Sequence, residues 1–151
     1  MILVSACLLG ENCKYNGGNN FDSRIKKLLE SEEIIPICPE VLGGCPTPRE
    51  TAEICGGTGA EVLDGICKVK TKSSEDVTDK FITGAKEVLA IAKAQDVKKA
   101  VLKANSPSCG CGKIYNGSFC SELIGGNGVT AELLKRNGIS VFTEKNYYTE
   151  E

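Results

Sequence analysis

The sequence of 151 residues contains no histidine. Without an imidazole there is no Cys/His zinc finger, no Rieske-type ligation, no histidine acid–base group and no Cys–His nucleophile pair. Long apolar runs are missing as well. Nothing approaches the roughly 20 residues that cross a bilayer, so no membrane partner is expected. The opening stretch MILVSACLLGENCK carries no basic region ahead of its apolar residues. That speaks against a secretory leader and for a cytoplasmic protein. Positive charge is not in excess either: the net charge is −2, and lysine-rich pieces such as KVKTK and DVKKA have acidic neighbours. Polyanions are usually gripped by clustered Lys and Arg, which makes nucleic acid an unexpected partner. Repeats and low-complexity linkers are absent, and the length suits about one domain, here taken as 1–151.

What the chain does have is cysteine. There are nine: Cys7, Cys13, Cys38, Cys45, Cys55, Cys67, Cys109, Cys111 and Cys120. An odd count with no secretory signal does not suit a disulfide framework. In a reducing compartment, thiol-rich loops more often bind metal or do redox chemistry. No Cys-x₂₋₄-Cys pair is present; Cys109-x-Cys111 and Cys38-x₆-Cys45 fit structural zinc poorly. Three readings stay open on spacing alone: an iron–sulfur cubane, another thiolate metal or sulfur-carrying site, and cysteines acting as small buried apolar residues. The last suits Cys55, Cys67 and Cys120 best.

Hydrophobic spacing places the thiols. ILVSA (2–6) and IIPIC (34–38) read as buried strands, the second at an edge because Pro36 cannot donate to a ladder. FDSRIKKLLESEE (21–33) has Phe21, Ile25, Leu28 and Leu29 on one helical face, with Asp22 or Ser23 as cap. GGTGAEVLDGICKVK (56–70) resembles a hairpin in which Asp64-Gly65 joins AEVL to ICKVK. VTDKFITGAKEVLAIAKAQ (77–95) and VTAELLKRNG (129–138) are helices; KKAVLKA (98–104) and ISVFTE (139–144) are strands. This alternation predicts an α/β domain with a mainly parallel sheet flanked by helices, plus a small hairpin. Ligands of such sheets bind beyond the carboxyl ends of the strands. Cys7 follows the first strand, Cys38 ends the second and Cys109 lies just past the third, so three thiols emerge at one sheet edge.

The segments VSACLLG, CPEVLGGCPTPR, KANSPSCG and GNGVTAELLKRNGISV resemble the DUF523 family, the thiouracil desulfurases, over nearly the whole chain. The resemblance implies a Rossmann-like fold and a [4Fe–4S] cluster on Cys7, Cys38 and Cys109. It further implies a non-redox hydrolysis in which sulfur of a thiolated pyrimidine, 2-thiouracil or a relative, binds the open iron and leaves as sulfide. Cys13, Cys45 and Cys111 stand where the family pattern does not demand cysteine. With no histidine, a carboxylate is the natural proton acceptor, and Glu40 lies two residues past Cys38. The resemblance supports Glu40 and Ser106 as the acid–base and assisting pair. Ser5 and Ser108 are expected to line the pocket, and Gly43 and Gly44 to let the chain approach a flat substrate. Arg49 could meet a carbonyl or phosphate or be an ordinary surface residue; Thr130 sits near a helix start that favours anions or carbonyls, with a simple N-cap role for a nearby residue as the other reading. Two alternatives differ in class: a non-catalytic thiolate or sulfur-carrying protein, and a desulfidase acting on thiouridine in tRNA.

Overall fold

Ile2, Leu3, Val4 and Ser5 are all buried, as expected for a parallel strand covered on both faces. In the computed structural model, which describes residues 1–147, the elements follow in order. They are β1 (Ile2–Ser5), α1 (Ser23–Leu28), β2 (Ile34–Ile37), α2 (Pro39–Leu42), β3 (Ala52–Cys55), α3 (Gly59–Leu63) and β4 (Lys68–Thr71). Then come α4 (Thr78–Ala94), β5 (Lys99–Leu102), β6 (Lys113–Tyr115), β7 (Leu123–Gly125), α5 (Val129–Arg136) and β8 (Ser140–Thr143).

Four strands form one sheet in the order β2-β1-β5-β8, parallel throughout. β2 is an edge strand, where Pro36 needs no partner for a missing N–H. The chain leaves β1 toward β2 on one side and returns through β5 on the other. The carboxyl ends of β1 and β5 therefore flank a topological switch point, where open α/β sheets bind ligands. The mixed α/β class and the parallel sheet match the sequence expectation. Residues 148–151, at the end of the expected domain, lie outside the described residues.

α1 starts where the pattern places it. The Asp22 carboxylate accepts the N–H groups of Arg24 and Ile25, at 3.0 and 3.1 Å. α4 buries Phe81, Gly84, Ala85, Val88 and Ala92, one face at helical spacing. The expected hairpin needs correction. AEVL is not a strand but α3, because Glu61 turns back to accept the backbone N–H and hydroxyl of Thr58, both at 3.1 Å. The T-x-x-E capping pattern was legible in TGAE and outweighs the turn signal. Asp64-Gly65 merely ends that helix, Gly65 at φ +80. The antiparallel partner of β4 is β3, on the far side of α3. A second small pair, β6 with β7, carried no sequence expectation.

Two glycines hold α2 against α4. A Cβ on Gly84 would fall on the Pro39 carbonyl, and one on Gly43 on the Lys80 carbonyl. The helices touch backbone to backbone, and α2 carries Glu40 two residues past Cys38. Gly84→Ala is therefore expected to lower stability by about 1–3 kcal/mol, the scale of overpacking. A thermal melt checks this.

Candidate active site

A cleft of about 450 Å³ opens at the carboxyl ends of β1, β2 and β5. Cys7, Cys38 and Cys109 line it, as do Cys13, Ser5, Glu40, Ser106 and Ser108. Each thiol comes from its own strand. Cys7 sits in a 3₁₀ turn (Ala6–Leu9) directly after β1, and Cys38 precedes the first residue of α2. Cys109 is held by the segment 106–110, whose stiffness has a visible cause. Ser106 Oγ accepts the backbone N–H of Ser108 and of Cys109, both at 3.1 Å. Val129, Thr130 and Gly128 donate their N–H groups to the carbonyls of Pro107, Ser108 and Gly110. A Cβ on Gly110 would strike the Ser106 carbonyl, and one on Gly128 the Ser108 backbone. These glycines let two stretches of main chain clamp one thiol.

That clamp settles the expectation for Thr130. The N–H groups at the start of α5 are taken up by the Cys109 segment, so that helix end offers no anion site of the kind expected.

The sulfurs differ in environment. Asn20 Nδ2 donates to Cys7 Sγ at 3.4 Å, and Ser5 Oγ donates to Cys109 Sγ at 3.5 Å. The Cys13 thiol donates toward both Cys7 and Cys38, which draws Cys38 down to about 6 and Cys7 to about 7, against the opposing pull of burial. As the shared donor, Cys13 is itself raised. Burial pushes Cys109 up to about 12. The nucleophile is the thiolate, present above the pKa. In cluster-free protein, iodoacetamide should label Cys38 well before Cys109 at pH 7, with the Cys38 rate falling as pH drops through about 6. Peptide mapping over a pH series checks this.

Glu40 is fixed from two sides. Arg49 Nε donates to its Oε1 at 3.1 Å and Ser108 Oγ to its Oε2 at 3.0 Å. Ser106 Oγ lies 2.9 Å from Ser108 Oγ, so a hydroxyl chain runs from Ser106 through Ser108 to the carboxylate. Arg49 binds protein rather than an open carbonyl or phosphate position. Its other nitrogens reach Pro46 O, Thr47 Oγ1 and Cys13 O. Ser5 and Ser108 both line the cleft, Ser5 also accepting Lys103 N–H at 2.9 Å.

The remaining expected residues lie elsewhere. Gly43 and Gly44 are not in the cleft wall; Gly43 abuts α4. Cys45 is buried in the core around Phe81. Cys111 turns away, its Sγ 3.6 Å from Val141 O and 4.0 Å from Lys135 Nζ. Cys67 packs against apolar neighbours, whereas Cys120 is exposed, not a core residue. Sequence reading undervalued Cys13, Asn20 and Lys103. Only the close approach of the 7–20 loop to the sheet edge reveals Cys13 and Asn20, while Lys103 enters the same cleft directly after β5.

The donors fit a cluster. Among the described residues, no three His, Cys, Asp or Glu side chains are set to clasp a single metal ion. The thiols instead ring a cavity, with polar hydrogens aimed at two of the sulfurs, a pattern suited to an iron–sulfur cluster whose ligands stand apart. No described helix is long and apolar enough to cross a membrane.

Comparison with known proteins gives three results. The family model described as 2-thiouracil desulfurase matches residues 2–146. The protein YbbK of Bacillus subtilis (strain 168) is 51% identical over 144 residues, 95% of each chain. A solved structure titled [4Fe-4S]-dependent thiouracil desulfidase TudS (DUF523Vcz) superposes with a TM-score of 0.85 at 41% identity. That match covers 98% of this chain and 93% of the other.

Proposed function

The chain belongs to the 2-thiouracil desulfurase family, and on that premise we propose that it hydrolyses 2-thiouracil or a close thiolated pyrimidine to the oxo base and sulfide. It is a [4Fe–4S]-dependent enzyme of α/β fold. We assign Cys7, Cys38 and Cys109 as the cluster ligands. Their convergence on one cleft from three strands supports this, as do the hydrogen-bond donors beside Cys7 and Cys109. When bound, the cluster supplies an iron without a protein ligand, a Lewis acid for the substrate sulfur.

The chain's own residues do the rest. Glu40 takes a proton from the attacking water; its carboxylate keeps one direction because Arg49 and Ser108 hold both oxygens. Ser106 and Ser108 form the path along which a proton can be passed on. Water adds oxygen to the ring carbon, the carbon–sulfur bond breaks, and sulfur leaves as hydrosulfide with no net change of oxidation state. We further propose a single domain over residues 1–151, a cytoplasmic setting that keeps the nine thiols reduced, and no nucleic-acid partner. The acidic balance supports the last point, and no mobility shift with thiolated tRNA is the expected result.

The observation that carries this reading is Glu40 gripped by Arg49 and Ser108 at the rim the three thiols share. The test is anaerobic purification followed by iron, acid-labile sulfide and sulfide-release assays with 2-thiouracil. Brown, active protein is expected. Protein that stays colourless and inactive after cluster reconstitution would overturn it.

A further inference from the structure

One wall of the cleft takes no part in holding thiols or moving protons. Glu53 on β3 is only 7% exposed. Its Oε1 accepts the backbone N–H of Gly117 at 2.9 Å and of Phe119 at 3.2 Å. These bonds tie the β6–β7 connection down onto β3 and hold it in a conformation that side chains rarely adopt. Phe119 has φ +59 and Ser121 φ +60. Gly117, at φ +93, lies where a Cβ would strike the Ile54 carbonyl. Such backbone persists only where its surroundings over-determine it, and it collects at ligand sites. Here the surroundings are a buried carboxylate, and the strained residue is an aromatic one. Phe119, Glu53 and Ser121 all line the cleft that Cys7, Cys38 and Cys109 share.

A thiolated pyrimidine has two flat faces and a polar edge that carries N–H groups. Aromatic side chains stack on such faces, and a carboxylate is a strong acceptor for such an edge. We propose that Phe119 is the stacking platform for the pyrimidine ring and that Glu53 reads a ring N–H through the oxygen that takes neither backbone bond. The two act as one device: Glu53 both sets the loop that presents Phe119 and recognises the substrate edge. This inference rests on the desulfurase reading and specifies how that site selects its substrate.

The test uses anaerobically reconstituted holoenzymes matched for iron and sulfide: wild type, Phe119→Leu, Phe119→Tyr and Glu53→Gln. Steady-state kinetics are run with 2-thiouracil and its 1-methyl and 3-methyl derivatives. Phe119→Leu should raise KM for 2-thiouracil about 10-fold or more, the scale of one lost base–aromatic stack, with kcat close to wild type. Phe119→Tyr should restore KM. Wild type should discriminate against at least one N-methyl isomer. In Glu53→Gln that discrimination should collapse, because the amide oxygen can still hold the loop while NH₂ replaces the acceptor. An unmoved KM in Phe119→Leu, or methyl discrimination undiminished in Glu53→Gln, overturns the inference. Should Glu53→Gln fail to fold, the two Phe119 variants decide alone. A wild-type holoenzyme that carries its cluster but releases no sulfide sinks the desulfurase reading and this inference together. Full turnover with unmoved KM values sinks only the present one.

Discussion

Cys109→Ala protein purified without oxygen is expected to be colourless, with iron and acid-labile sulfide near background and no sulfide released from 2-thiouracil. The expectation is steep because Cys13, the other thiol lining the cleft, is engaged with Cys7 and Cys38, and Cys111 faces away. Cys111 is two residues away, but its thiol points to Val141 O and Lys135 across the segment's turn. The clamp that fixes residues 106–110 against α5 prevents a swap, since moving Cys111 inward would break the bonds from Gly128, Val129 and Thr130. Cys111→Ala should keep its colour and serves as the control. Far-ultraviolet circular dichroism of Cys109→Ala should match wild type, because the lost group is one small side chain. Normal iron content in Cys109→Ala would remove that residue from the ligand set, and a colourless Cys111→Ala would redirect the assignment.

Glu40→Ala is expected to keep the brown colour and normal iron while kcat falls by about 100-fold or more, the lower end of what a positioned acid–base group contributes. KM should change little, since in the proposed role the carboxylate acts on the water rather than the substrate. The alanine variant also strands Arg49, whose side chain is 9% exposed and ion-paired to Glu40. A buried charge left alone is costly, so some loss of stability is expected alongside the kinetic defect. Glu40→Gln separates the two effects. Its amide oxygen can still accept from Arg49 and restore stability, while it cannot take a proton, so activity should stay low. Recovery of activity in Glu40→Gln would show that the group positions rather than accepts. Loss of iron in either variant would make Glu40 a structural partner of Cys38.

Much of this could be read from residue order. Alternating apolar runs and amphipathic helices give the parallel sheet, because side-chain period alone decides which segments can be covered on two faces. With strand ends known, Cys7, Cys38 and Cys109 fall at one edge by counting. The helix spanning 59–63 was missed for a local reason. A capping pair and a turn dipeptide compete within one short stretch, and the pair wins only because Val62 then packs into the core.

The sequence by itself determined the chemistry available here: thiolates and carboxylates without imidazole, delivered by three strands to one edge. Only the tertiary structure decided which groups share that edge. Arg49 meets Glu40, Cys13 sits between Cys7 and Cys38, and Glu53 reaches across to Gly117 and Phe119, contacts spanning from 6 residues of chain (Cys7 to Cys13) to 66 (Glu53 to Phe119). Gly43 went the other way, from an expected substrate contact to a helix crossing. Local spacing encodes what a segment becomes. Which side chains meet depends on how loops close over the sheet, and no periodicity records that.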